Sequence, residues 1–327
     1  MINKYKENGL EFIQVKNNKG LTIILCSLGA AIFCIDFLGE KMTYSPKNTQ
    51  DFLRKNVYHG KTIGRVSGRI TGNKIIIDDK TFTLAENENG NVLHGGEDGL
   101  STKTFESQII QEEQKTHVIF SYISKDGESG FPGNVVVEIN YFIYNNENKI
   151  TIEFKCKTDK KCPISLTNHS YFCLGDSNIN NLSLMINASK HILMNNDDLT
   201  LLGEEMVPPC LDFRNEKPLI QDINAKQINE GNLRGYDNIF LLDKVKFTQP
   251  IVTLKNSKFK LDITTDLDAV VIYSDNYDAN FIANNSDERI RRGLAIEPQL
   301  NPMKDRLLKP GDVYKHYISY QFKTPIY

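Results

Sequence analysis

Tryptophan is absent from the 327 residues, and none of the six cysteines forms a CxxC pair. Cys26, Cys34, Cys156, Cys162, Cys173 and Cys210 lie mostly within apolar runs. They read as free buried thiols in a reducing compartment, not as a disulfide framework. Charge excess is missing too: 39 Lys and Arg against 41 Asp and Glu leave a net −2. That balance points to neither nucleic acid nor an anionic membrane surface. The opening MINKYKENGLEF has no apolar core of the signal-peptide kind. The most membrane-like stretch, residues 21–38, is interrupted by Ser27, Gly29 and Asp36. A spanning helix needs about 20 predominantly apolar residues, so two buried strands turning near Gly29 fit better. A soluble, cytoplasmic protein is expected. No GxSxG elbow, GxxxxGK loop or dinucleotide fingerprint occurs, so the motif-bearing routes to serine, phosphate and nicotinamide chemistry find no support.

Helical periodicity is nearly absent, with short candidates only around residues 219–230. Strand signals dominate. Residues 74–84 (KIIIDDKTFTL) read as a hairpin turning at Asp78–Asp79. Residues 116–124 and 134–144 read as strands on either side of the Gly-rich loop KDGESGFPGN. Residues 149–157 (KITIEFKCK) alternate with Ile150, Ile152, Phe154 and Cys156 on one face, as a half-buried antiparallel strand should. Further strands are expected at 182–188, 251–254, 259–264, 269–274 and 316–322. The stretches 197–205 and 224–235 look most loop-like, and neither marks a boundary. The expectation is an all-β chain, a large antiparallel sandwich forming one domain over 1–327 with a few short helices.

Residues 164–174 (ISLTNHSYFCL) have the length and residue mix of a further strand. Alternation would place Ile164, Leu166, Phe172 and Leu174 on one face, and Thr167, His169 and Tyr171 on the other. Of the six histidines, His117, His191 and His316 have contexts that suggest structural roles, and His59 is undecided. His94, in NVLHGG, and His169 sit in distinctive local sequences. The two glycines after His94 permit a sharp turn and leave space beside its ring. Arg65 and Arg69 in GRVSGRI are four residues apart among small residues, and a guanidinium fork in a cleft can hold several ligand oxygens. Glu297 in LAIEP and Asp237 in GYDNIF each join a carboxylate to an apolar run, and Glu297 suits a general base. A His₂Glu zinc set of His94, His169 and Glu297 is conceivable, but no HxH or HExxH spacing supports it. No metal is expected.

Together these segments resemble the aldose 1-epimerase (galactose mutarotase) family. GRVSGRI (64–70), NVLHGG (91–96), DGESGFPGN (126–134), LTNHSYFCL (166–174), GYDNIFLL (235–242), LAIEPQLNP (294–302) and LLKPGDVYKHYISYQF (307–322) occur in the family's order. The resemblance covers roughly residue 60 to the end. It implies a galactose mutarotase-like supersandwich whose concave face holds a monosaccharide, without a cofactor. It also implies that Glu297 is the general base and His169 the general acid, with His94, Arg69 and Asp237 contacting the sugar. Gln299 retains the family glutamine, and Tyr171 joins the wall of the cleft. Tyr273 and Tyr277 are the candidates for stacking on the sugar.

The chain departs from the common pattern in having Ser67–Gly68 before Arg69, where many members have Ala-Asn, and Asn238 after Asp237. The expected activity is interconversion of the α and β anomers of a free hexose such as galactose or glucose, by a monomer or weak homodimer. The alternatives are a carbohydrate-binding sandwich without turnover, a phosphosugar epimerase of the same fold and a metal-dependent sugar isomerase.

Overall fold

A computed structural model describes residues 1–46, 49–243, 249–276 and 291–324. Tyr277 lies outside them. Two antiparallel sheets carry most of the fold. The larger runs, in spatial order, through Glu106–Gln111, Lys115–Ser124, Val135–Tyr144, Lys149–Thr158, Tyr314–Lys323, Lys260–Thr265, Val252–Lys255, Ser183–Ile186 and Lys217–Pro218. The smaller runs through Leu201–Met206, Lys190–Met194, Asp237–Leu241, Ala269–Tyr273, Leu294–Gln299, Tyr171–Phe172 and Thr43–Tyr44. A five-stranded sheet built from residues 2–41 adds a third layer of strands.

Strand alternation explains how the two main sheets meet. Ile139 and Tyr141 in one strand, Ile152 and Phe154 in the next, and Ile318 and Tyr320 beyond them are all fully buried. They share one hydrophobic cluster with Phe172, Phe240, Ile272, Leu294 and Ile296 of the smaller sheet. Phe172 and Tyr320 meet edge to face across the interface, 5.1 Å between centroids. This packing is a β-sandwich, as the sequence pattern led one to expect. The Lys149–Thr158 strand buries the face read from its alternation, and the 74–83 hairpin turns at Asp78–Asp79, both at positive φ.

Residues 164–174 behave differently from expectation. They do not form one strand; Thr167–Asn168 pairs with Thr62–Ile63, whereas Tyr171–Phe172 pairs with Leu294–Gln299 and Thr43–Tyr44. The break falls at His169–Ser170, where polar side chains offer the backbone other partners. Asn168 donates to the Gly60 carbonyl at 2.7 Å, and Ser170 donates to Asn168 at 2.6 Å. The His169 amide donates to the Lys61 carbonyl, and its own carbonyl accepts from Gly60. Ile164, Leu166, Phe172 and Leu174 do enter the main core, yet the opposite face is buried as well. One smaller expectation also changes, for residues 201–206 form a strand, not a loop. The short helices expected around 219–230 are two 3-10 turns, Leu219–Gln221 and Lys226–Ile228.

Candidate active site

The two faces of the smaller sheet have different chemistry. Leu294 and Ile296 point into the core, so Ala295, Glu297 and Gln299 point the other way. Antiparallel register extends that second face across the sheet: Asp237 opposes Tyr273, Tyr273 opposes Ala295, and Ala295 opposes Tyr171. In the next row Ile239 opposes Val271, which opposes Glu297. All of these side chains but Ala295 floor a cavity of about 1040 Å³, whose walls include Tyr58, His59, Arg69, Glu88, His94 and His169.

His94 reaches the cavity through strained backbone. His94, Gly95 and Gly96 all have positive φ, at 56°, 88° and 87°. A Cβ at Gly95 would stand 2.0 Å from the Gly64 carbonyl oxygen. The glycine therefore serves a close approach of two backbones, not free space beside the imidazole. The Gly68 amide donates to His94 Nδ1 at 3.3 Å, so the neutral ring carries its proton on Nε2. Burial, then His169, pushes the His94 pKa well below its ordinary value and keeps the ring neutral.

His169 Nε2 lies 3.2 Å from Glu297 Oε1, with side chains 4% and 3% exposed. Burial lowers the imidazole to about 3, with His59 adding to the effect. Burial raises the Glu297 carboxyl well above its usual range, and the nearby Asp237 charge raises it further. The normal order of acidity of a carboxyl and an imidazole is thus inverted. Tyr58 and Tyr171 both stack on the His169 ring, at 5.8 and 5.0 Å. Tyr171 also stacks on His59 at 4.2 Å and meets the edge of Tyr273 at 6.2 Å.

Arg69 is pinned by carboxylates. Its Nε and Nη2 donate to Glu88 at 2.7 and 3.0 Å, and Asp237 Oδ2 is 3.7 Å from Nη2. Burial would lower its pKa, but Asp237 and Glu88 more than offset that and keep it charged. Burial raises the Asp237 carboxyl above its ordinary range, opposed by Arg69 and reinforced by Glu88. Gln299 is fully buried on the floor, and neither its amide oxygen nor its amide nitrogen has a hydrogen-bond partner among the described residues.

Arg65, the other arginine of its motif, does not reach the cavity. It is buried and donates to Ser124 Oγ and to the carbonyls of Ser124, Lys125 and Pro132, which ties down the 125–134 loop. His117, His191 and His316 pair with Asn140, Glu205 and Asp266, in keeping with structural roles.

The expected Arg69, His94, His169, Tyr171, Asp237, Tyr273, Glu297 and Gln299 therefore share one cavity. Tyr58 and Glu88, which carry no sequence motif, line the same cavity, as does His59, which its local sequence leaves undecided. The aromatic pair before Gly60 was the only local signal for the first and last. A zinc ion suits the donor set poorly. The ligand atoms of His94, His169 and Glu297 spread over up to 4.8 Å, whereas tetrahedral bonds of about 2.0–2.1 Å hold ligands roughly 3.4 Å apart. The His94 tautomer also presents a proton at Nε2 where a metal would need a lone pair.

The sequence matches the Aldose 1-epimerase family over residues 11–321, and the chain belongs to that family. It is an isomerase whose family chemistry is the interconversion of sugar anomers. The match begins well before residue 60, so the N-terminal strands share the likeness. Aldose 1-epimerase of Escherichia coli K12 is 28% identical over 95% of this chain and 94% of its own. Human galactose mutarotase is 29% identical over 84% of this chain and 82% of its own. Galactose 1-epimerase from Lactobacillus acidophilus NCFM superposes with a TM-score of 0.89 at 24% identity, covering 100% of this chain and 99% of that one, a likeness of fold. Among the described residues no helix is long and apolar enough to cross a membrane.

Proposed function

We propose that this chain equilibrates the α and β anomers of a free aldohexose such as galactose or glucose, with Glu297 as general base and His169 as general acid. The observation that carries the reading is the buried His169–Glu297 contact at 3.2 Å, with the two acidities shifted in opposite directions. Ring opening removes the proton of the C1 hydroxyl and delivers one to the ring oxygen. The C1–C2 bond then rotates, and closure on the other face reverses both transfers. The pair holds one proton throughout: on His169 with the closed ring, on Glu297 with the open aldehyde. Burial favours the uncharged arrangement, imidazole with carboxylic acid, so opening moves the pair toward the state its environment prefers.

The remaining groups fit a bound pyranose. His94 Nε2–H and the free N–H groups of Arg69 donate to hydroxyl oxygens, and Asp237 accepts. Gln299 can do either. Tyr58, Tyr171 and Tyr273 offer aromatic surface to the sugar's C–H face. The partner is a single monosaccharide, and the six free thiols fit a cytoplasmic setting.

Polarimetry on freshly dissolved α-D-galactose and α-D-glucose tests this directly. Acceleration over buffer is expected. Saturable binding by calorimetry with no acceleration for any aldose would leave a carbohydrate-binding sandwich instead.

A further inference from the structure

We propose that Glu88 is a positioning residue that turns Arg69 into a hydrogen-bond donor for uncharged sugars, and that it thereby shuts sugars bearing an anionic group out of the site. The inference rests on the function proposed above and narrows its substrate class.

Glu88 grips Arg69 in a two-point fork, accepting from Nε at 2.7 Å and from Nη2 at 3.0 Å. Both residues stand on fixed backbone. Arg69 pairs in register with Leu93, and Glu88 opens a four-residue turn closed by reciprocal backbone bonds with Asn91. Asn89 and Gly90, inside that turn, both have positive φ. The fork therefore sets the plane of the guanidinium. Both hydrogens of Nη1 and one of Nη2 are left for a ligand.

The same fork cancels the charge. An arginine that captures phosphate or carboxylate must offer an uncompensated cation, but Arg69 already faces Glu88 and Asp237. With Asp237 ionised, the three groups sum to one negative charge. Across the described lining of the cavity, with Glu297 left out as an uncharged acid, carboxyl groups still outnumber guanidiniums six to three, and there is no lysine. Of the other two guanidiniums, Arg54 is exposed. That of Arg292 lies over the Tyr44 ring at 5.6 Å, and the Arg292 amide donates to Asp275. A carboxylate or phosphate on the sugar would add a like charge to a lining already net negative, whose Asp197 and Asp198 stand exposed to solvent and its ions. Hydroxyl groups need only donors and acceptors.

The test compares D-galactose with D-galacturonate, which differ at C6, by polarimetry on wild type, Glu88→Gln and Glu88→Asp. Wild type is expected to favour galactose in kcat/KM by at least roughly tenfold. Glu88→Gln keeps an acceptor of the same length but drops the charge, so that preference should narrow by roughly tenfold. Glu88→Asp keeps the charge but loses the reach, so it should retain the preference while KM for galactose rises. If Glu88→Gln fails to fold, added salt on wild type replaces it, and the galacturonate-to-galactose ratio should then climb with ionic strength. Equal handling of both sugars by wild type overturns the proposal, as does a ratio that neither Glu88→Gln nor salt changes. Turnover of neither sugar would instead remove the anomerase reading beneath it.

Discussion

Tyr58 stacks on the imidazole of His169 with 23° between the ring planes and 5.8 Å between centroids. It meets the His94 ring as well, edge-on at 4.8 Å. One side chain thus braces both histidines, while Tyr171 supports His169 from its other stacked contact. A π face against an imidazole favours its cationic form when a proton arrives. Tyr58→Leu is expected to lower kcat by roughly tenfold, because an imidazole free to tilt spends less time in line with the ring oxygen. Tyr58→Phe should keep most of the activity. Initial polarimetric rates over a range of pH check this, since loss of the π face also moves the acidic limb of the kcat profile to lower pH.

Removing either member of the proton couple should stop the chemistry while leaving sugar binding in place. Glu297→Gln and His169→Asn are each expected to lower kcat by about 10²–10⁴-fold. Calorimetry with D-galactose should still show saturable binding to both. Full activity in His169→Asn would move the acid role to another residue of the cavity.

Glu297 also links activity to stability. Its carboxyl is raised in the folded chain, chiefly by burial, so below the unfolded value near 4.5 the folded state loses nothing. As pH climbs from there toward the folded value, the unfolded chain releases its proton first, and folding grows less favourable. Glu297→Gln does not titrate. Its melting temperature relative to wild type should therefore be higher at pH 8 than at pH 5, and calorimetric melts at the two values check the sign. A relative melting temperature that falls with pH would mean the carboxyl is not held in its neutral form.

Gly95→Ala should damage both fold and site. The new methyl group would stand 2.0 Å from the Gly64 carbonyl oxygen at a φ of 88°. Clash and backbone strain together are expected to cost about 2–4 kcal/mol, read from chemical denaturation. KM for galactose should rise as well, because His94 sits immediately before the displaced residue.

Much of this was legible in the chain wherever a local pattern had a local cause. The Lys149–Thr158 strand follows from its own alternation, and the 74–83 hairpin from its turn residues. NVLHGG likewise marks backbone that only glycine tolerates. Residues 164–174 misled because burial on both faces hides the signature of a bend, and because Asn168 and Ser170 satisfy the backbone from their own side chains. The four-residue helix Thr49–Phe52 is too short to show periodicity. Glu88 and Tyr58 carry no motif of their own. Each matters because the tertiary fold brings it against Arg69 or His169, residues 19 and 111 positions away in sequence.

The strand Leu294–Gln299 gives consecutive residues to opposite tasks, Ile296 to the core and Glu297 to the cavity. Single substitutions can therefore retune the sugar side with little effect on packing, but changes of length cannot. One residue inserted or deleted within this strand would turn a carboxylate into the hydrophobic interior and an isoleucine toward the sugar. Natural variation among such enzymes should accordingly be rich in replacements along these central strands, with gaps confined to the loops that join them.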